Sequence, residues 1–262
     1  MGARTRRTGK LEIKKELVMS REDYMFGTRA VIEAIRNRKP VERVLIKKGL
    51  DNELFAELFQ LIKENDVAFQ FVPVEKINRV TRKNHQGVIA FLSAVEFADI
   101  EILLPGLFEA GTDPFILILD QITDVRNLGA IVRTAECGGV HAIIFPERGM
   151  ARIGADAVKT SAGAIHSLPV CKVKSLPAVL RFLKDSGLRV IAATEKATDV
   201  YTEKAMKGPL VIVMGAEDTG ISPPVLNMAD DQVRIPLFGK IGSLNVSVAA
   251  GLMIYEAVRQ RH

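Results

Sequence analysis

The stretch that decides the fold is 235–251, which reads I-P-L-F-G-K-I-G-S-L-N-V-S-V-A-A-G. An apolar segment ends at a proline, a loop with two glycines follows, and a Ser-Leu-Asn step leads into a helix of small residues. Gly239 and Gly242 lack a Cβ, so this loop can adopt backbone angles that other residues avoid. Ser243 and Asn245 are residue types that accept hydrogen bonds from free N–H groups at a helix start. The stretch therefore predicts a loop that lets a ligand approach the backbone.

A second unusual segment lies at 120–135 and reads D-Q-I-T-D-V-R-N-L-G-A-I-V-R-T-A. Asn127 can cap a helix there, and Arg133, six residues later, projects from the second turn. The arginine could pair with Asp120 or Asp124 as a structural contact. Alternatively, its planar guanidinium could face a phosphate, which that fork geometry suits.

The third segment, 213–220, reads V-M-G-A-E-D-T-G. Gly215 directly follows an apolar strand and Glu217 comes two residues later, which resembles a nucleotide-binding turn. Many ordinary strand-to-helix turns have the same pattern, so this segment alone does not distinguish the two. Neither G-x-G-x-x-G nor G-x-x-x-x-G-K-[ST] occurs in the chain. A dinucleotide site of the usual kind and a phosphate-loop NTPase are therefore not supported.

The composition is that of an ordinary globular protein, with 262 residues of which 48% are hydrophobic and 26% charged. The net charge of +5 is concentrated near the start of the chain. Residues 1–20 carry six Lys/Arg and two Glu, residues 21–96 carry 13 basic and 11 acidic side chains, and residues 97–262 carry 17 and 18. The basic start predicts either contacts with phosphates or a solvated flexible tail.

Other features narrow the class of protein. Apolar runs such as 115–119 are far shorter than the roughly 20 residues that cross a bilayer, and the first 20 residues contain no signal-peptide core. Cys137 and Cys171 are too few for a disulfide scaffold, which predicts reduced thiols in a cytoplasmic protein. The four histidines lack metal-ligand spacing with these cysteines, so no metal site is predicted.

The chain divides into four parts. We predict a basic flexible tail at 1–20, a small α/β domain at 21–96, a linker at 97–114 and a larger domain at 115–262. In the small domain, helices are predicted at 27–36, with Ala30, Val31, Ala34 and Ile35 inward, and at 52–64. Strands are predicted there at 43–47, 67–72 and 88–94.

From residue 115 onward, apolar strands alternate with helices. Strands are predicted at 115–119, 141–145, 168–173, 188–193, 209–214 and 232–236. Helices are predicted at 127–138, 154–163, 175–186, 222–229 and 244–260. This alternation predicts a parallel sheet covered by helices on both faces. The three unusual segments follow strands, and ligands of such sheets bind at the carboxyl ends of the strands.

Taken together, N-L-G-A-I-V-R-T-A, V-M-G-A-E-D-T-G and the 235–251 stretch resemble the three ordered motifs of the SpoU (TrmH-like) RNA 2′-O-ribose methyltransferases. The resemblance covers 115–262, and 24–94 resembles the small RNA-binding domain of the same family. Within the family, the chain is most similar to the 23S rRNA guanosine-2′-O-methyltransferases of the RlmB type. One departure is Val125, where many members have proline, a change expected to alter loop stiffness more than chemistry.

The resemblance implies a fold and its ligands. The fold would be an α/β, SPOUT-type parallel sheet with a C-terminal deep trefoil knot, plus a small α/β RNA-binding domain like that of a ribosomal protein. The cofactor would be S-adenosyl-L-methionine, and the partners would be structured RNA, most readily rRNA, and a second subunit bound through the knot region. DNA and membranes are not expected partners. The implied cofactor-binding residues are Thr194, Gly215, Ile235 and Leu244.

The resemblance also implies a catalytic set, Arg133, Asn127, Glu217, Ser243 and Asn245. The family's proposed base corresponds to Arg133, although arginine keeps its proton at physiological pH. Two versions therefore stay open: Arg133 clamps an RNA phosphate and stabilises the alkoxide, or it loses a proton under local conditions. Asn127 would position Arg133 or the ribose, and Glu217 would orient an arginine or the loop. Ser243 and Asn245 would fix the nucleotide or the cofactor turn.

Three other functions remain open at this stage. The same chemistry could act on tRNA, or the chain could be a resistance-type methylase for another rRNA site. A non-catalytic RNA-binding protein with the same fold is the alternative from another class.

Overall fold

The computed structural model describes residues 24–262, so the predicted basic tail lies outside the described residues. The small domain is a four-stranded sheet with helices. Its strands are β1 (Tyr24–Phe26), β2 (Val41–Lys47), β3 (Phe69–Val72) and β4 (Val88–Leu92). Its helices are α1 (Thr28–Arg36), α2 (Glu53–Glu64) and α3 (Val74–Asn78). The strand order is β1-β4-β2-β3, in which only β2 and β3 run parallel.

Helix α1 buries a different set of side chains from the predicted one. Val31, Ala34 and Ile35 are buried as expected, but Ala30 is exposed and Ile32 takes the inward position. The reason is helical periodicity, because Thr28, Ile32 and Ile35 lie along one side of a helix with 3.6 residues per turn and residue 30 does not.

The predicted linker contains a helix, α4 (Ile100–Glu109). Asp99 caps it by accepting a hydrogen bond from the Glu101 N–H at 2.9 Å. Ile100 and Leu104 are buried against the sheet of the larger domain, so the apolar spacing outweighs Pro105 inside the helix.

The larger domain is built on a seven-stranded sheet. Its strands are β5 (Phe115–Asp120), β6 (Ala142–Pro146), β7 (Val170–Val173), β8 (Arg189–Ala193), β9 (Asp199–Val200), β10 (Leu210–Gly215) and β11 (Asp231–Arg234). The order is β7-β6-β5-β10-β8-β11-β9 and every pair is parallel, as the alternation predicts. The short strand β9 is absent from the sequence prediction, because two residues carry no periodic signal.

Helices cover both faces of this sheet. They are α5 (Val125–Cys137), α6 (Ala155–Thr160), α7 (Leu176–Asp185), α8 (Pro223–Leu226) and α9 (Val246–Arg261). The apolar side chains of α5, α6 and α9 form one core, and those of α4, α7 and α8 form the core on the opposite face. Helices α5 and α9 pack closely, since a Cβ at Gly138 would lie 2.4 Å from Ile254 Cγ2.

The two domains meet around Arg152. Its Nε donates to Glu42 Oε2 at 3.2 Å, and its guanidinium carbon lies 4.2 Å from the centre of the Phe91 ring. Nearby, the Ala94 N–H donates to the Ile153 carbonyl at 2.9 Å. We call this contact, of Arg152 with Glu42 and Phe91, the domain junction.

Within residues 24–262, no helix is long and apolar enough to cross a bilayer. Both cysteines are free thiols, Cys137 exposed and Cys171 buried. Burial, followed by the charge of Asp99, raises the pKa of the Cys171 thiol to about 11.

Candidate functional site

The three unusual segments converge at the carboxyl ends of the central strands. β5 and β10 are parallel neighbours, and their last residues, Asp120 and Gly215, are paired in register. The chain leaves β5 toward α5 and leaves β10 into the turn at 216–220. Since α9 packs against α5, its start lies beside both segments.

The turn after β10 leaves no room for a side chain at Gly215. A Cβ there would lie 2.2 Å from the carbonyl carbon of Gly220 and 2.3 Å from the Ile221 nitrogen, both backbone atoms. Ala216 and Gly220 close the turn with two backbone hydrogen bonds of 3.2 and 3.0 Å. The buried carboxylate of Asp120 accepts from the Ser222 N–H at 2.8 Å and fixes the turn to β5.

Helix α5 begins two residues earlier than the sequence predicts, and its cap differs. Asp124, not Asn127, is the capping residue, because its Oδ1 accepts from the N–H groups of Arg126 at 2.7 Å and Asn127 at 3.0 Å. The side-chain amide of Asn127 is therefore available for contacts across the site.

Those contacts form a cluster that joins all three segments. Asn127 Nδ2 donates to Glu217 Oε1 at 3.0 Å, and Asn245 Nδ2 donates to the same oxygen at 2.9 Å and to Asn127 Oδ1 at 3.0 Å. The Val246 N–H also donates to Glu217 Oε1, at 3.0 Å. We call Asn127, Glu217 and Asn245 the polar triad. Glu217 thus holds the loop at the start of α9 and contacts no arginine among the described residues.

The start of α9 corrects a second capping prediction. Asn245 is the capping residue, and its Oδ1 accepts from the Ser247 N–H at 2.9 Å. Ser243 lies two residues before this capping residue, where it is exposed and contributes to the wall of a cleft instead.

This cleft, which we call the strand-end cleft, has a volume of about 640 Å³ including its open mouth. Six of the nine predicted site residues line it: Thr194, Gly215, Glu217, Ile235, Ser243 and Leu244. Its other lining residues include the apolar Met214, Val233, Val246 and Ala249 and the carboxylate of Glu195. Sequence reasoning missed the four apolar residues because apolar strand and helix residues carry no signal for a cleft until the elements are packed. Glu195 could have been noted as a polar residue placed just after an apolar strand.

Arg133 lies apart from this arrangement. It is exposed on α5 and makes no hydrogen bond or ion pair with any residue of 24–262, so it pairs with neither Asp120 nor Asp124. Six residues along an α-helix correspond to about 9 Å of rise and a rotation of about 240° from Asn127. Asn127 therefore does not position Arg133 through a direct contact.

A second cleft, the side cleft, shares the residues Ala216, Glu217 and Val246 with the strand-end cleft. Its remaining wall includes Gln121 and Asp218, which the sequence prediction did not include. Gln121 could have been noted as a polar residue placed directly after a buried strand.

Comparisons with known proteins show which family the chain resembles over both domains. Residues 114–255 match the model of the SpoU rRNA Methylase family, and residues 24–98 match the model for RNA 2′-O ribose methyltransferase substrate binding. A Bacillus subtilis protein named as a TrmH family tRNA/rRNA methyltransferase is 33% identical over 240 residues, covering 92% of this chain and 96% of the relative.

Solved structures are similar over most of the chain. A crystal structure of an RNA 2′-O ribose methyltransferase has a TM-score of 0.53 at 27% identity, covering 90% of this chain and 88% of the other. The SpoU methyltransferase AviRb from Streptomyces viridochromogenes, in complex with AdoMet, has a TM-score of 0.57 at 23% identity, covering 90% and 89%.

Proposed function

Because this chain belongs to the SpoU rRNA methylase family, we propose that it transfers a methyl group from S-adenosylmethionine to a ribose 2′-hydroxyl of structured RNA in the cytoplasm. The preferred target is a guanosine of 23S rRNA. The observation that carries the proposal is the polar triad, which ties all three motif segments together beside the strand-end cleft.

The lining of the strand-end cleft suits S-adenosylmethionine in chemistry. Ligand sites commonly combine apolar walls with a few polar groups. Met214 and Val233 offer an apolar wall for an adenine ring, and the carboxylates of Glu195 and Glu217 suit the positive sulfonium and amino groups. Gly215 lets the 216–220 turn close tightly at the wall of this cleft. AviRb, which shares the fold, was crystallised with this cofactor.

S-Adenosylmethionine bound there supplies an electrophilic methyl group on a sulfonium. The ribose hydroxyl is a weak nucleophile, so the chain must orient it and help remove its proton. Glu217 Oε1 is held by three N–H donors, whereas Oε2 makes no hydrogen bond with any described residue. Oε2 can therefore accept a hydrogen bond from the 2′-hydroxyl and fix its direction.

Arg133 acts in this proposal as a phosphate clamp. A guanidinium offers five N–H donors and no acceptor atom, which suits it to bind a phosphate. Its bidentate fork binds a phosphate of the RNA backbone and stabilises negative charge that develops on the ribose oxygen. Its lack of partners within residues 24–262 leaves it available for that contact.

Replacing Arg133 tests this role. We expect Arg133→Ala to lower the methylation rate by about 100-fold or more, with cofactor binding retained, because the stabilised charge develops only on the RNA. Arg133→Lys keeps the charge but loses the fork, so partial activity is expected. Arg181→Ala, an exposed arginine of α7 on the opposite face of the sheet, is the control. Near-normal turnover of Arg133→Ala would remove Arg133 from the chemistry.

We further propose a homodimer formed through the C-terminal region, which the family resemblance expects to be knotted. Val248, Leu252 and Tyr255 form an exposed apolar stripe along α9. In the preceding loop, Phe238 is 98% exposed and Ile241 is 79% exposed. Large apolar side chains exposed together are typical of an interaction surface. Analytical ultracentrifugation of the wild type and of Leu252→Lys tests this, since the charge should favour the monomer.

The decisive experiment measures methyl transfer directly. Tritium from labelled S-adenosylmethionine should enter rRNA, and mapping of modified riboses in cells with and without the gene should identify one guanosine of 23S rRNA. Transfer into tRNA alone would move the target to the tRNA alternative that the B. subtilis relative's name allows. Transfer into no RNA, with cofactor binding intact, would favour a non-catalytic RNA-binding protein.

A further inference from the structure

The side cleft opens at the carboxyl end of β5 and meets the strand-end cleft at Glu217. A methyl acceptor must lie next to the methyl donor, and the two clefts share the wall residues Ala216, Glu217 and Val246. The side cleft is therefore in position to hold the nucleoside whose 2′-hydroxyl is methylated. This step rests on the proposed function.

The wall of the side cleft presents polar groups with unused hydrogen-bonding capacity. Neither the side-chain amide of Gln121 nor the hydroxyl of Thr123 bonds to any residue of 24–262. Asp218 Oδ1 accepts from the Thr219 N–H at 2.9 Å, and its second oxygen has no partner there. Gln121 has φ of 63°, a left-handed conformation that is costly for a residue with a Cβ, and its Cγ lies near Gly149.

The charges of this wall select the part of the RNA that can enter. Among residues 24–262, the lining contains Asp124, Glu217 and Asp218 but no lysine or arginine, so this wall disfavours a phosphate. A neutral base that presents hydrogen-bond donors suits these carboxylates. Guanine has two adjacent donors, N1–H and the N2 amino group, on its Watson–Crick edge, and O6 beside them is an acceptor. Adenine, cytosine and uracil lack such a pair of adjacent donors.

We propose that the side cleft binds the target guanosine with its base turned out of the RNA stack. The Asp218 carboxylate accepts from N1–H and the N2 amino group, and the Gln121 amide donates to O6. Turning a base out of the stack is the usual way for a protein to contact its Watson–Crick edge. Asp218 and Gln121 are specificity residues in this scheme, and the transfer itself depends on the polar triad and Arg133.

The test uses the full-length protein, tritiated S-adenosylmethionine and unmethylated rRNA, with nucleoside analysis of the product. Label from the wild type is expected in 2′-O-methylguanosine alone. Asp218→Asn keeps an oxygen for the Thr219 N–H but replaces an acceptor with an amino group that opposes guanine. It should lower kcat/KM for rRNA by about tenfold or more with an unchanged Kd for the cofactor. Gln121→Gly removes the amide, and glycine suits the left-handed backbone at this position. This variant should lower kcat/KM for rRNA by a smaller factor.

Asp185→Asn, at the end of α7 on the opposite face of the sheet, is the matched control and should leave kcat/KM unchanged. Label in a different nucleoside, or Asp218→Asn within twofold of the wild type, would overturn this inference while leaving the proposed methyltransferase activity in place. Absence of transfer by the wild type to any RNA would overturn the proposed function itself.

Discussion

At the polar triad, the exposed carboxylate of Glu217 is held by N–H donors from two other segments, whereas at the domain junction the guanidinium of Arg152 is held between a carboxylate and an aromatic ring. The triad depends on directional hydrogen bonds, and its second carboxylate oxygen stays free. The junction depends on charge and stacking, with Phe91 only 4% exposed. The triad is thus arranged to meet a ligand, and the junction to hold two domains together. Changes at the first should alter chemistry, and changes at the second should alter stability and RNA binding.

The most damaging change to the strand-end region should be Gly215→Ala. The new Cβ would lie 2.2 Å from a backbone atom of Gly220, so the turn that carries Glu217 must move. We expect loss of measurable S-adenosylmethionine binding by isothermal titration calorimetry and a lower Tm. Gly106→Ala, in α4 on the opposite face of the sheet, is the control because, apart from backbone of its own helix, no atom of residues 24–262 lies within 4 Å of the place that its new methyl group would take. Cofactor affinity near that of the wild type in Gly215→Ala would contradict the proposed cofactor site.

A smaller effect is expected from Glu217→Gln, which keeps the shape of the side chain. Its amide can present only one acceptor oxygen, so the amino group either faces the donors of Asn127 and Asn245 or replaces the free acceptor. We expect kcat to fall by about 10–100-fold and the free energy of unfolding by about 1–2 kcal/mol. Single-turnover methylation and urea unfolding measure the two quantities. A variant with lowered stability but unchanged kcat would make Glu217 purely structural.

At the domain junction, Arg152→Ala should spare the chemistry. Loss of the contact with Glu42 and of the stacking on Phe91 should lower the free energy of unfolding by about 1–2 kcal/mol and raise KM for rRNA, with kcat little changed. Arg181→Ala is the control, since Arg181 is exposed on α7 and makes no hydrogen bond or ion pair with any residue of 24–262. An unchanged KM together with a strongly lowered kcat would show that the junction and the polar triad are not independent.

The smallest predicted effect lies at the opposite end of the sheet. His141 Nδ1 accepts from the Phe115 N–H at 2.9 Å, and burial, followed by the charge of Arg261, lowers the pKa of this histidine below 6.5. Because the folded-state pKa is depressed, its stabilising contribution is complete above about pH 6.5 and is lost as the pH falls through the folded-state value, by up to about 1.4 kcal/mol per pH unit. Urea unfolding between pH 5 and 8 should reveal this slope, and His141→Asn should flatten it.

The sequence predicted those features of the fold and of the candidate site that depend on residues close together in the chain. The parallel sheet and most element positions followed from apolar runs of five or six residues, as at β5 and β10. The residues around the strand-end cleft were predictable as a group through three motif segments. The hydrogen bonds among them were not predictable, because Asn127 and Glu217 are 90 positions apart along the chain and Glu217 and Asn245 are 28 positions apart.

The wrong sequence predictions also arose because tertiary packing, which the sequence pattern does not show, decides the local structure. Asp124 and Asn127 are both good capping residues, and only the packing of α5 decides which one caps. Pro105 and Gly106 indicated a linker, yet Ile100 and Leu104 find a buried surface that favours a helix. Gln121 has a left-handed backbone that no pattern of residue types indicates.

The two thiols differ in exposure, which allows one of them to be labelled selectively with a fluorophore. Cys171 is buried and its high pKa leaves almost no thiolate at neutral pH, whereas Cys137 is exposed at the last position of α5. A maleimide fluorophore should therefore attach to Cys137 alone, without any cysteine having to be replaced. The dye would sit on the same rigid helix as Asn127 and Arg133, so its emission could follow RNA docking in real time.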